Sequence, residues 1–489
     1  MDPWTFIAIV FILITIFLFK TDYERHFLFF VIRTKRGLKF IDFLARLKPE
    51  LWMLAGDLGL VMSFGGLGAL YLLEKEKTRR NLYWSLVLIA TAGVSLAKAS
   101  LAVKLVSILL LALAVWLMRR VRNTAASFVL ASLLISCSAG AAVLNLPFYL
   151  ALLYGFFGFP ALIIALLLQN AYEILQGSML PGISPLLPTT REGRIGMGVP
   201  GYDIFIPWWY ALIAIVATFA PHELAHGILT RVGKVRLKSV GLLTFGGLVV
   251  GAFVEPDEEE LKKKQGISKM RVYSAGSIAN FAVGILCVLV TLTLVTGLSY
   301  FVVPGEGVKI SELPAGYPAE KVLEREMVIY EINGNLLSDT ESFKNATNGV
   351  KPGNIVTLKT DKGIFQVNTT EHPTEKGKGY MGVVVIKEIK ARFECTSWIL
   401  TSGFLEFLLT SLGWIYFFSI SIGLVNLLPV PPFDGYRMFD EIVKASWIRE
   451  KSVKRVLFSI IAITVFIFLL NVFPLLKMVF ATVLKVFGL

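Results

Sequence analysis

The sequence predicts a polytopic α-helical membrane protein that carries one small extramembrane β-rich domain. Three observations predict it. Of 489 residues 55% are hydrophobic and only 17% are charged, with mean hydropathy +0.69, whereas a soluble chain carries about a quarter charged residues. Apolar runs recur at 4–20, 51–73, 83–118, 125–143, 147–170, 205–220, 276–298, 397–428 and 454–485, and a helix needs roughly 20 such residues to cross a ~30 Å hydrocarbon core. Between about Gly305 and Glu388 the composition changes to that of a soluble domain.

Taken in order, residues 1–173 read as membrane helices of unknown role, with no polar constellation inside the spans. The first run lacks a basic leading region and a small-residue cleavage site, so it reads as a retained helix. Lys98 and Lys104 interrupt 83–118, which predicts two helices there. The segment from Glu173 to Ile206 is rich in Gly and Pro and is not helical throughout. Trp208 and Trp209 open the next helix as an interfacial belt, and Arg231, Lys234, Arg236 and Lys238 close it on the cytoplasmic side. Gly241 to Val254 is apolar, glycine-broken and short for a span, which predicts a re-entrant hairpin lining a protein cavity. Short β patterns around turns such as Asn333-Gly334 fill 303–390. Two further helices occupy 395–489, joined by a Pro-rich segment and a basic loop.

The net charge of +13 excludes nothing by itself. Its Lys and Arg clusters, however, flank apolar runs at 33–47, 75–80, 119–122, 231–238, 262–271 and 449–455, as the positive-inside rule requires and a nucleic-acid groove does not. No nucleic-acid partner is expected. The cysteines Cys137, Cys287 and Cys395 are scattered without metal-ligand spacing and read as small buried side chains.

The chemistry concentrates in one place. Of four histidines, His26, His222, His226 and His372, two fall in His222-Glu223-Leu224-Ala225-His226. With only four histidines in the chain and glutamate near its average usage, chance yields such a pattern about 0.002 times. Residues four apart share a helical face, so both imidazoles reach one Zn2+ ion and Glu223 stands beside it as the base for a water. The bland alternative is a hydrogen-bonded histidine pair at a helix end. Ionisable groups at membrane depth are costly and mark function. A catalytic zinc takes three protein ligands and leaves one position open. No third histidine is well placed, so a carboxylate is expected. Asp434, in the Pro-rich break Asn426-Leu427-Leu428-Pro429-Val430-Pro431-Pro432-Phe433-Asp434-Gly435, is the strongest candidate, although alone it also reads as an Asp-Gly turn. The run Glu255 to Glu260 reads as a solvated loop.

These two separated motifs resemble the site-two protease family of intramembrane zinc metalloproteases, whose N-x-x-P-x-P-x-x-D-G pattern fits Asn426 to Gly435. The resemblance covers about 174–489. It implies that His222, His226 and Asp434 are zinc ligands, that Glu223 is the general base, and that Asn426 handles substrate. The family's A-G-P-x-x-N helix is matched by Ala275-Gly276-Ser277-Ile278-Ala279-Asn280, with Ser277 in place of Pro, which implies a substrate-binding role for Asn280. It also divides the chain into a first catalytic half over 174–300 and a second over 395–489. The 303–390 domain is similar to a PDZ domain in Pro318 to Leu323 and Val328 to Gly334, which implies capture of peptide ends by strand addition.

The function these readings imply is hydrolysis of peptide bonds in or near transmembrane helices of membrane-protein substrates, in the lipid bilayer of a multi-pass plasma-membrane protein. The active site is expected toward the cytoplasm and the PDZ-like domain outside. A non-catalytic membrane scaffold of the same fold is the alternative. A metal permease would spread its polar residues over several spans.

Overall fold

The computed structural model describes residues 3–74, 78–96, 100–121, 123–142, 147–191, 193–373, 375–391, 403–445 and 450–486. They form two compact units, Met1–Val288 with Thr410–Leu489, and Leu289–Leu409.

The first unit opens with α1 (Pro3–Phe19), β1 (Glu24–His26), β2 (Phe29–Thr34) and α2 (Leu38–Arg46). The helices α3 (Pro49–Leu73), α4 (Arg79–Leu96), α5 (Leu101–Met118), α6 (Thr124–Ala142), α7 (Phe148–Phe157) and α8 (Phe159–Leu175) follow. Prolines at the first turns of α3 and α8 suit positions whose N–H has no helical partner. The 83–118 run is divided between α4 and α5, with Lys104 in α5 and Lys98 outside the described residues. The Gly- and Pro-rich stretch contains a three-stranded antiparallel sheet of β3 (Leu187–Arg191), β4 (Arg194–Gly198) and β5 (Phe205–Pro207).

The long helix α9 (Trp208–Val232) leads into a hairpin of β6 (Leu237–Phe245) and β7 (Leu248–Pro256). Its turn uses Gly246 at φ +55, a left-handed conformation that suits glycine. The hairpin belongs to a four-stranded antiparallel sheet in the order β1-β2-β6-β7, with Phe29 opposite Phe245 and Thr34 opposite Val240. The N-terminal zone therefore supplies half of this sheet. The acidic run is not a plain loop. Glu255 on β7 accepts from Ser239 and Arg33, and Asp257 caps the short helix α10 (Glu258–Lys262) by accepting from the Glu260 N–H. The Arg236 guanidinium, helped by that N–H, holds the Asp257 carboxyl below the usual carboxylate range.

A helix of 36 residues, α11 (Gly266–Phe301), comes next. The second unit is a β-rich fold. Its strands are β8 (Val302–Glu312), β9 (Val328–Ile332), β10 (Asn335–Leu336), β11 (Ile355–Thr360), β12 (Gly363–Asn368), β13 (Thr370–Glu371), β14 (Gly379–Tyr380) and β15 (Val384–Ala391), with the helix α12 (Thr340–Thr347) after β10. The main sheet runs β12-β11-β9-β8-β15, with β10 on β9 through the Asn333-Gly334 turn, both residues at positive φ. Val308, Ile310, Ile329, Ile332, Val356 and Leu358 lie in its hydrophobic core.

The first unit resumes with α13 (Phe404–Val425), α14 (Asp434–Ala445) and α15 (Glu450–Val486). By length and composition α3, α9, α11, α13 and Ser452–Ala481 of α15 suffice to cross a membrane. Interhelical hydroxyl bonds join three of these elements: Thr218 to Ser419, and Ser277 to the Gly423 carbonyl. One core runs through the N-terminal helices and the later ones, with Leu60, Phe64 and Ile135 packed in the same cluster as Met270, Phe281 and Met438. The expectation of N-terminal spans without a polar constellation is corrected here. Asp57 on α3 is fully buried and paired with Arg271 on α11.

Candidate metal centre

His222 and His226 lie one turn apart on α9, just after Pro221, whose missing N–H frees the carbonyl four residues before it. Their rings meet edge to face at 4.8 Å between centroids. Asp434 arrives from 208 positions later in the chain. Prolines 429, 431 and 432 stop α13 from continuing, the chain turns, and the Gly435 N–H reaches back to the Asn426 carbonyl at 2.7 Å. That turn sets Asp434 as the first residue of α14, with its carboxylate over both imidazoles.

Oδ2 of Asp434 lies 3.1 Å from Nε2 of His226 and 3.6 Å from Nε2 of His222, and the two Nε2 atoms are 3.2 Å apart. A tetrahedral zinc with ligands at about 2.0–2.1 Å separates them by about 3.3 Å. The triangle fits the ion. His222 is 3% exposed, and the rest of the donor set is half-buried.

Two further observations bear on the fit. With Nε2 facing a metal, each imidazole carries its proton on Nδ1 and needs an acceptor there. Nδ1 of His226 meets the Val272 carbonyl at 2.7 Å. Nδ1 of His222 meets the Asn280 amide at 3.1 Å, and the Oδ1 atom of that amide is buried without a partner. Turning the amide over places Oδ1 on the Nδ1 proton and satisfies both groups. Gly276 lies between these two contacts. A Cβ there would stand 2.3 Å from Nε2 of His222 and 2.5 Å from Nε2 of His226, inside the space the ion requires. Residues 272, 276 and 280, each one turn apart, thus present one face of α11 to the two histidines.

A cavity of about 410 Å³ opens over this centre, lined among others by His222, Glu223, Val254, Asn426, Asp434 and Arg437. Glu223 points to the hairpin rather than to the histidine–aspartate triangle: its Oε2 accepts the Val254 N–H at 2.9 Å. Asn426 lines the cavity with its amide nitrogen 3.5 Å from Nε2 of His222. Asn280 does not line it. Its side chain is fully buried behind His222, so its contact is with a ligand ring rather than with the open space. His26 is exposed beside Glu24, and His372 meets Tyr380 edge to face in the β-rich unit.

Sequence reasoning missed Val272, Gly276 and Val254. The first and last act through backbone atoms that every residue type carries. Gly276 did leave a signal, since a glycine four residues before Asn280 in a long helix marks close approach.

Two histidines one turn apart with a glutamate between them, and a carboxylate from a later helix, are the donor set of a metal-dependent hydrolase. A model of peptidase family M50 matches residues 210–472, more than half of the chain, and the chain belongs to that family. Over 247 residues it is 31% identical to an uncharacterized protein of Methanocaldococcus jannaschii, covering 49% of this chain and 59% of that one. Over 300 residues it is 22% identical to a Clostridium perfringens protein provisionally named a zinc metalloprotease, covering 48% of this chain and 87% of the relative. A homolog of the membrane-bound transcription factor site-2 protease in Arabidopsis thaliana is 23% identical over 193 residues, 39% of this chain and 35% of that one. The chain thus spans less than two thirds of the first and third of these relatives.

Proposed function

We propose that the chain is an intramembrane zinc endopeptidase that cuts membrane-protein substrates in or beside a transmembrane helix. The observation that carries this reading is the triangle of His222, His226 and Asp434 with Glu223 between it and the edge of β7. Zinc, when bound, would polarise the scissile carbonyl and make a water acidic enough to attack at neutral pH. His222, His226 and Asp434 would hold it. Glu223 takes a proton from the attacking water and returns it to the leaving amine.

A substrate helix hides its backbone in its own hydrogen bonds, so it must be drawn out before attack. Among the described residues the sheet order ends at β7, which leaves one edge of that strand unpaired in the sheet. Val254 N–H faces that edge, because it bonds to Glu223 and not to β6. An extended substrate segment adds to this edge, taking over the Val254 N–H and releasing Glu223 for chemistry. Asn426, on the cavity wall, contacts the substrate backbone. The β-rich unit acts as a PDZ-like filter for peptide ends, outside the cell, while the metal centre lies toward the cytoplasmic face of the plasma membrane.

The test is cleavage of single-span helical substrates in liposomes by the purified chain, by Glu223→Gln, and by the chain with a zinc chelator. Cleavage by the native chain that drops at least about 1,000-fold in the variant, and that chelation abolishes and zinc restores, is the expected outcome. Cleavage that survives both treatments would sink the metalloprotease reading. Tightly held zinc without any cleavage would favour the scaffold.

A further inference from the structure

The helices α1 to α8 have no role in the chemistry above, and residues before 210 lie outside the family match. A buried ion pair ties α3 to it. Asp57, in the middle of α3, is fully buried. Its Oδ1 accepts from Nε of Arg271 at 2.8 Å and its Oδ2 from Nη2 of Arg271 at 2.7 Å, a forked pair. Oδ2 also accepts from the Asn81 amide at 2.7 Å. Arg271 is itself only 15% exposed in its side chain.

Arg271 immediately precedes Val272, whose carbonyl meets Nδ1 of His226. The two faces of α11 are therefore engaged at once. Residues 272, 276 and 280 hold the histidines, while 271, 274 and 278 are held by α3. Ser274 Oγ donates to the Gly56 carbonyl at 3.0 Å. A Cβ on Gly56 would stand 2.9 Å from Cβ of Arg271, and one on Gly59 would stand 3.1 Å from Cβ of Ile278. The two helices touch backbone to side chain, so neither slides nor turns without breaking the forked pair.

We infer that Asp57 is a positioning residue for the metal centre: through Arg271 it fixes the register of α11, and with it the Val272 carbonyl that orients His226. The inference rests on the reading of His222, His226 and Asp434 as a metal site. A buried ion pair is a weak source of net stability, since desolvation offsets most of the attraction. Its forked geometry fixes direction and distance well. Contacts that orient a metal-bound imidazole change metal affinity by about 10–100-fold when lost.

The experiment uses the full chain in detergent, loaded with Co2+, whose visible absorption reports ligand geometry independently of turnover. The native chain is expected to bind one Co2+ with a tetrahedral spectrum. Asp57→Asn keeps the shape and the Asn81 contact but loses the charge. It is expected to bind Co2+ about 10–100-fold more weakly, with a shifted spectrum, and to lower kcat on a helical substrate while leaving KM unchanged. Arg271→Lys keeps the charge and loses the fork, and moves both readouts in the same direction by less. It decides the matter if Asp57→Asn does not fold. Asn471→Ala, which removes a buried contact between α15 and α8, is the control for a merely structural loss. It is expected to lower the melting temperature without moving the spectrum. Folded Asp57 and Arg271 variants with native Co2+ affinity and spectrum would overturn the inference alone. A native chain that binds no Co2+ would overturn the metal reading beneath it.

Discussion

At the scale of single residues, the proposed metal centre would depend on an absence as much as on its ligands. Gly276 leaves open the volume between two imidazoles, and any side chain there competes with the ion for it. Gly276→Ala places a methyl carbon 2.3 Å from Nε2 of His222, so the rings must move off their ligating positions. The expected result is a loss of zinc affinity of about 100-fold or more, with thermal stability close to native because the helix gains a better former. Equilibrium dialysis against zinc, beside a melting curve, checks it. A variant that binds zinc at native affinity would show that the rings have room the geometry denies. The His222-Glu223-x-x-His226 motif was legible because its geometry is local: a helix alone puts both rings on one face. Asp434 stood out among 35 Asp and Glu only through its Pro-rich break, because a contact between helices 208 positions apart leaves no local pattern. Asn280 was expected at the substrate and lies instead against His222. The side of a helix that a polar residue faces depends on neighbours far away in the chain.

At the scale of elements, the hairpin is what the proposed mechanism uses to select its substrate. The glycine-broken apolar run predicts a hairpin, and β6 and β7 occupy it. Its partnership with β2 was not legible, because strand pairing across some 200 residues leaves no periodic trace in either strand. The same holds for the small sheet of β3, β4 and β5 in a stretch that reads only as Gly- and Pro-rich. Because β6 covers one edge of β7, the proposed substrate strand would add at the other edge. Val254 N–H points to that edge, and Ala252, two residues earlier in a regular stretch of register, points the same way. Ala252→Pro removes one outward donor and leaves the inward ladder in place. It is expected to cut kcat/KM for a helical substrate by about 10-fold or more, roughly the worth of one backbone hydrogen bond left unmade, with zinc content unchanged. Phe253→Pro faces the other way and breaks the hairpin itself. Equal cleavage by Ala252→Pro and the native chain would mean that substrate does not add at this edge.

At the scale of the whole molecule, the β-rich unit is separable from the machinery it interrupts. All described residues of the metal centre belong to the other compact unit. Within the β-rich unit the chain enters on β8 and leaves on β15, and these strands pair antiparallel with Val302 opposite Ala391. Entry and exit are therefore about one strand spacing apart, near 5 Å, and a foreign domain with adjacent termini fits between them. Its sheet was legible from alternating short strands and the Asn333-Gly334 turn, whereas the side of the membrane proposed for it rests only on charge placement in the loops. Replacing 305–388 by a reporter enzyme that is active only outside the cytoplasm tests orientation and role together. The reporter is expected to be active, the chain to keep its zinc and to cut an unstructured-ended helical substrate at close to the native rate, and discrimination between substrates with different ends to fall. An inactive reporter in a chain that still cuts would reverse the orientation. Unchanged discrimination would remove the unit from substrate choice, because a filter deleted without effect was never filtering.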